Sequence, residues 1–190
     1  MSNIALLGGS FDPVHLGHLQ VAETVIHAFF FDEVWFVPSA NHPFKHSTFF
    51  TFAERVQLLK LALATNPLFS VYEYDFSPNQ KSYTLYLVKK IQEEYPQHHF
   101  SFIIGADNVT QLATWYGIDE LLKQIPFIVV NRFNTEQLEW DKLSYFRQLS
   151  FVEMPLVNIS SAEIRDLITT KQEFSHLIPK EIINIISQIQ

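Results

Sequence analysis

Residues 4–18 read IALLGGSFDPVHLGH, a short apolar run followed by a turn of glycines, an Asp-Pro pair and two histidines. The apolar run Ile4–Leu7 predicts a buried strand, and apolar residues recur with helical spacing from Leu16 to Phe30. The residues between them are therefore predicted to form a strand-to-helix turn. In an α/β sheet such a turn binds phosphates, because the free N–H groups and the positive end of the helix lie at the carboxyl edge of the strands.

The residue types in this turn suit a phosphate. Gly8 and Gly9 let the backbone approach a ligand closely, and His15 and His18 are spaced to share one face of a helix. Imidazoles in that position can donate hydrogen bonds to phosphoryl oxygens. The alternatives are an incidental polar surface or a metal site. No third ligand lies nearby in the sequence, so we assign no residue to a metal.

The remainder of the chain alternates between strand and helix patterns. This alternation predicts an α/β fold, Rossmann-like and doubly wound, with a mostly parallel sheet flanked by helices on both faces. We expect a single domain over residues 1–190, with a small helical part from about residue 160 onward. The predicted strands are 33–38, 69–72, 99–105, 126–130 and 148–152, and the predicted helices are 52–65, 83–95, 161–169 and 179–189.

The composition limits the classes of partner. A net charge of −7 argues against broad binding of nucleic acid or anionic membranes, although a few cations in one cleft can still hold a phosphate. The sequence has no cysteine, no signal-peptide pattern and no apolar run long enough to span a bilayer. We expect a cytoplasmic protein without nucleic-acid or membrane partners, and a homo-oligomer is left open.

A second predicted helix start lies near the end of the chain, in ISSAEIR at residues 159–165. Ser160 or Ser161 can cap this helix, and Arg165 lies one turn further on, within reach of an anion at the helix end. Alone, this is a common capping motif. Together with the N-terminal turn it predicts two phosphate-binding helix ends on one sheet edge, an arrangement that suits a triphosphate.

Four stretches resemble one enzyme family. GGSFDPVHLGH resembles the signature of the HxGH nucleotidyltransferases, and among them that of the bacterial nicotinate mononucleotide adenylyltransferase family. GADNVTQLATWY at 105–116, KSYT at 81–84 and ISSAEIR are similar to further elements of the same family. These matches span nearly the whole chain.

The resemblance implies transfer of AMP from ATP to nicotinate mononucleotide, with Mg²⁺ bound mainly through the ATP phosphates. For Trp115 a physical reason supports a place in the nicotinate nucleotide site, because an indole face is the best side-chain partner for a pyridinium cation. The alternative is that Trp115 covers a helix end. By the resemblance the catalytic residues are His15, His18 and Arg165; the ATP-binding residues are Gly8, Gly9, Ser10, Phe11, Gly105, Asp107, Ile159, Ser160 and Ser161; and the nicotinate nucleotide-binding residues are Lys45, Ser82, Tyr83, Thr84, Trp115, Tyr116 and Arg132.

Two positions depart from the family pattern. Ala162 stands where threonine is usual, and Phe44 stands where histidine is usual. These departures leave open a nucleotide-binding module without turnover. Another acceptor, nicotinamide mononucleotide or phosphopantetheine, is the nearer alternative. An aminoacyl-tRNA synthetase is disfavoured by the short chain and the lack of a basic RNA-binding region.

Overall fold

A six-stranded parallel sheet organises the chain in the computed structural model, which describes residues 1–40, 48–74, 82–131, 148–155 and 158–188. The strand order is β3-β2-β1-β4-β5-β6, and every adjacent pair runs parallel. The strands are β1 (Asn3–Gly9), β2 (Glu33–Pro38), β3 (Phe69–Val71), β4 (His99–Gly105), β5 (Phe127–Asn131) and β6 (Leu149–Glu153).

Among the described residues, helices follow β1, β2, β3 and β4, and two more follow β6. They are α1 (Leu16–Phe29), α2 (Phe52–Leu63), α3 (Thr84–Glu94), α4 (Ala106–Val109), α5 (Ile118–Gln124), α6 (Ser161–Thr169) and α7 (Lys180–Ser187), with short 3₁₀ turns at Leu112–Thr114 and Ser175–Leu177. Each strand and helix predicted from the sequence is present, with bounds shifted by at most two residues. The sequence did not predict α4 and α5, because four and seven residues are too few for a helical pattern to show.

Helices cover both faces of the sheet, as predicted. Successive side chains of β1 point to opposite faces, so Ala5 and Leu7 join the core under α1, α2, α6 and α7. Ile4 and Leu6 join the other core, under α3 and α5. Within the described part of the chain, no helix is both long and apolar enough to cross a membrane.

The side of the sheet on which new strands are added changes between β1 and β4. From β1 the chain adds β2 and β3 on one side, then returns to place β4 on the other side and continues to β5 and β6. In doubly wound sheets, ligands bind in the crevice at the carboxyl ends of the strands at such a switch point. The turn after β1, residues 10–15, stands at this point.

Candidate active site

A cleft of about 650 Å³ opens over the carboxyl ends of β1, β2 and β4. It gathers ten of the residues predicted from the sequence, although they lie in three separate stretches, 8–18, 82–84 and 105–116. These ten are Gly8, Gly9, His18, Ser82, Tyr83, Thr84, Gly105, Asp107, Trp115 and Tyr116. One cleft therefore brings the end of β1 together with the residues assigned to a nicotinate nucleotide.

Close packing explains the glycine at the end of β1. A Cβ atom on Gly8 would lie 2.9 Å from Cζ of Phe102, a buried ring of β4. That distance is too short for two carbon atoms, so a larger residue would require either the Phe102 ring or the end of β1 to shift. The ring of Phe102 also lines the cleft, so the position of Gly8 affects the shape of the floor.

The two histidines lie side by side at the start of α1. His15 is the residue that precedes the helix, with an extended backbone, and His18 is in the first turn. Their rings stack with centroids 3.6 Å apart. The expected proximity is confirmed, but only His18 lines the cleft, and the side chain of His15 is buried.

A backbone contact defines the tautomer of His18. The N–H of His15 donates to Nδ1 of His18 across 3.2 Å. A ring nitrogen that accepts a hydrogen bond carries no proton, so the neutral ring of His18 holds its proton on Nε2. Nε2 of His18 is therefore a hydrogen-bond donor.

The ISSAEIR stretch is joined to the turn after β1. Ser160 caps α6 by accepting the N–H of Glu163 at 3.1 Å. Ser161 instead donates its hydroxyl to the carbonyl oxygen of Pro13 at 2.9 Å. Nη1 of Arg165 donates to the carbonyl oxygen of Asp12 at 2.7 Å.

The predicted meeting of the two helix ends thus occurs, but α6 lies beside the turn and not over the cleft. Seven residues assigned to ATP chemistry are not part of the cleft lining: Ser10, Phe11, His15, Ile159, Ser160, Ser161 and Arg165. Their roles toward ATP stay predictions. The packing of α6 in the core under α1 and α2 accounts for this placement.

Aromatic rings form the far end of the cleft. The half-buried ring of Trp115 packs edge-on against Phe102 and Phe127, with centroids 6.3 and 6.2 Å away. The ring of Tyr83 stacks on that of Tyr116 at 4.7 Å. Trp115 thus packs against the core and also presents part of its ring to the cleft.

A helix end also faces this aromatic region. Helix α3 begins after Tyr83, whose side chain provides no cap to the helix, and Tyr83 and Thr84 both line the cleft. The first N–H groups of a helix carry partial positive charge and attract anions. An anionic group on a ligand would therefore be favoured here.

Several residues complete the comparison with the sequence. Lys45, Phe44 and Arg132 lie outside the described residues, so what the sequence predicts for these positions stays a prediction. Ser39, Gln111 and Thr114 line the cleft but were not singled out from the sequence. Ser39 could have been found by its place directly after β2.

The chain is similar to known proteins over nearly its whole length. Residues 6–167 match the cytidylyltransferase-like family. A probable nicotinate-nucleotide adenylyltransferase of Exiguobacterium sibiricum is 36% identical over 185 residues, covering 97% of this chain and 96% of its own. The nicotinate-nucleotide adenylyltransferase of Bacillus subtilis is 37% identical over 185 residues, covering 96% and 94%.

Solved structures agree with the fold. The nicotinic acid mononucleotide adenylyltransferase of Plasmodium falciparum, solved in complex with NaAD, superposes with a TM-score of 0.78 at 22% identity over 97% of this chain and 96% of its own. At that identity the likeness shows the fold alone. Taken with the family match and the full-length relatives, the chain belongs to the cytidylyltransferase-like family of nucleotidyltransferases and, within it, to the nicotinate-nucleotide adenylyltransferases.

Proposed function

We propose that the chain transfers AMP from ATP to the phosphate of nicotinate mononucleotide, which yields nicotinate adenine dinucleotide and pyrophosphate. A single observation carries this proposal. Gly8, Gly9 and His18 line the same cleft as Trp115 and the start of α3, whose N–H groups favour an anion. Family membership supports the same reaction.

The chemistry places few demands on the protein. An oxygen of the acceptor phosphate bonds to the α-phosphorus of ATP while the bond from that phosphorus to the bridging oxygen breaks, and the electron pair leaves with pyrophosphate. The attacking oxygen is already ionised at neutral pH, so no general base is required. The protein must align the two phosphates and stabilise the charge that develops between them.

His18 suits the charge-stabilising role. Its Nε2 carries the proton in the neutral ring, and the residue lines the cleft at the start of α1. We assign Nε2 of His18 as a donor to an α- or β-phosphate oxygen. Arg165 and the amides from Gly8 to Phe11 would then hold the rest of the triphosphate.

The acceptor would lie toward the aromatic end. In nicotinate mononucleotide the ring nitrogen is bonded to ribose, so the ring is a pyridinium cation, which favours the indole face of Trp115. The carboxylate on this ring is an anion, which favours the start of α3 beside Tyr83 and Thr84. Nicotinamide lacks that negative charge, so this arrangement supports a preference for the acid.

Magnesium enters as part of the nucleotide substrate. Among the residues that the structure describes, no group of three metal-ligating side chains is close enough to hold an ion. An ion carried on the ATP phosphates would neutralise their charge and keep several water ligands.

The test is pyrophosphate release from Mg-ATP with nicotinate mononucleotide, nicotinamide mononucleotide and phosphopantetheine in parallel. We expect turnover with the nicotinate acceptor and at least tenfold lower kcat/KM with the amide, about the effect of one charged hydrogen bond. Faster turnover with phosphopantetheine would reassign the acceptor. ATP binding without turnover on any of the three would favour a module that has lost catalysis.

A further inference from the structure

Two charged side chains lie buried behind the turn after β1, outside the cleft. Arg55 of α2 is 1% exposed and Asp12 of the turn is 4% exposed, and neither lines the cleft. Burying charges is unfavourable unless hydrogen bonds compensate, so their contacts indicate a specific task.

The guanidinium of Arg55 links the ends of two strands. Nη1 donates to the carbonyl oxygen of Ser10, and Nη2 donates to that of Ser39 at 2.9 Å. The β1–β2 ladder has its last pair at Gly9 and Pro38, after which the N–H of Ser39 still donates to the carbonyl of Gly9. Arg55 therefore continues the connection between the strands where the ladder ends, at the edge where the cleft begins.

This contact also orients the turn. In a planar trans peptide the carbonyl of Ser10 and the N–H of Phe11 point in opposite directions. Because Arg55 holds that carbonyl, the N–H of Phe11 points away from the guanidinium. Phe11 has a φ of 47°, in the left-handed region that a bulky residue adopts only when its surroundings impose it.

Asp12 fixes the same turn from a second side. Its two carboxylate oxygens accept the N–H groups of Phe49 and Phe50, each at 2.8 Å. These residues lead into α2, which carries Arg55. Burial lowers the pKa of the Arg55 guanidinium, and the negative charge of Asp12 opposes that effect. The two groups thus support one another across the turn.

We propose that Arg55 is a positioning residue for adenylyl transfer, which holds the turn after β1 in its reactive shape through the carbonyls of Ser10 and Ser39. The inference rests on the proposed function. Arg55 acts on the phosphate side of the cleft and is remote from the acceptor side at Trp115. Its loss should therefore lower kcat while leaving the KM of the acceptor unchanged.

The decisive variant is Arg55→Lys. Lysine keeps the charge but has a single ammonium group and no rigid fork, so it cannot reproduce both bonds. We expect kcat to fall about 10- to 100-fold, the effect of small misplacement of reacting groups, with the acceptor KM within about twofold of the wild type. The matched control is Leu59→Ala, one turn further along α2 and fully buried, which weakens the packing of the helix but removes none of the hydrogen bonds that Arg55 makes to the turn.

A second measurement is independent of turnover. In ¹H–¹⁵N spectra, the amide of Phe11 should shift when Mg-ATP is added to the wild type, and this response should shrink in Arg55→Lys. A wild type that binds ATP without turnover would refute the proposed function, while this spectrum would still test the positioning of the turn.

Two outcomes would overturn the inference: wild-type kcat and an unchanged Phe11 response in Arg55→Lys, or an equal loss of kcat in Leu59→Ala measured where both variants are folded. Should Arg55→Lys lack a cooperative unfolding transition, Asp12→Asn takes its place with the same readouts. It retains one acceptor oxygen for Phe49 or Phe50 but removes the charge opposite Arg55. Unchanged kcat and Phe11 response in that variant would equally overturn the inference.

Discussion

The hydroxyl of Ser161 donates to the carbonyl oxygen of Pro13 across 2.9 Å, although 148 residues separate them in the sequence. Two further contacts accompany this one, since Arg165 reaches the carbonyl of Asp12 and its Nη1 lies 3.8 Å from the Asp12 carboxylate. The first turn of α6 is thereby attached to the turn that precedes α1. The position of Arg165 relative to His18 consequently depends on this attachment.

Removing the hydroxyl should loosen that attachment. For Ser161→Ala we expect a loss of about 1 kcal/mol in the free energy of unfolding, typical of one hydrogen bond, together with a raised KM for ATP. Urea denaturation and steady-state kinetics measure the two effects. Thr170→Ala, at the exposed end of α6, removes a local bond to Asp166 and serves as the control. An unchanged KM for ATP in Ser161→Ala would show that the attachment has no catalytic role.

Replacing His18 separates catalysis from folding. His18 is half-buried and lines the cleft, so His18→Ala should lower kcat at least 100-fold, as for other lost charge-stabilising donors. The thermal midpoint should move by only a few degrees. His27→Ala, in the exposed last turn of α1, is the matched control and should retain full turnover. Wild-type kcat in His18→Ala would refute the assignment.

The strand and helix pattern was predictable because each element carries its own signal. Apolar runs such as 99–105 and helical spacing such as that of 161–169 are local, and the structure reproduces both stretches within those bounds. The region of the site was predictable for a related reason. Parallel strands end at one edge, so residues that follow them meet there whatever the loops do.

What the sequence did not reveal depends on contacts between distant residues. Ser160 and Ser161 were equal candidates for the helix cap. Ser160 caps α6, because the hydroxyl of Ser161 donates to the nearby carbonyl of Pro13 instead. Arg55 binds two backbone carbonyls behind the turn, at Ser10 and Ser39, which lie 45 and 16 residues away in the sequence. Neither outcome leaves a periodic or compositional trace in the chain.

Stability should depend on pH through Glu94. Hydrogen bonds from Tyr72, at 2.6 Å, and then from Lys90 lower the pKa of Glu94 below its ordinary value of 4.5. A carboxylate with a lowered pKa stabilises the fold fully above that ordinary value, and the contribution is lost as the pH falls through the folded-state pKa. Glu94→Gln should thus be less stable than the wild type at pH 7, with a smaller difference at pH 3.

Chemical denaturation at both pH values measures this effect. Glu93→Gln, at the neighbouring exposed position, is the control for the loss of one negative charge from α3. An equal difference between Glu94→Gln and the wild type at pH 7 and pH 3 would contradict the expected role of the carboxylate.

Trp115 provides a test of the acceptor end alone. Its ring lines the cleft, and loss of a cation–π contact worth about 0.5 to 2 kcal/mol corresponds to a rise of about 2- to 30-fold in the acceptor KM. We expect that rise in Trp115→Ala. The KM of ATP should be unchanged, because Gly8, Gly9 and His18, which are assigned to ATP, lie at the other end of the cleft. Trp115→Phe keeps a smaller aromatic face, so its acceptor KM should lie between those of the wild type and Trp115→Ala. Since Trp115 also packs on Phe102 and Phe127, a thermal scan must accompany the kinetics. If the acceptor KM stayed at its wild-type value in a folded Trp115→Ala, the pyridinium ring would have to bind elsewhere.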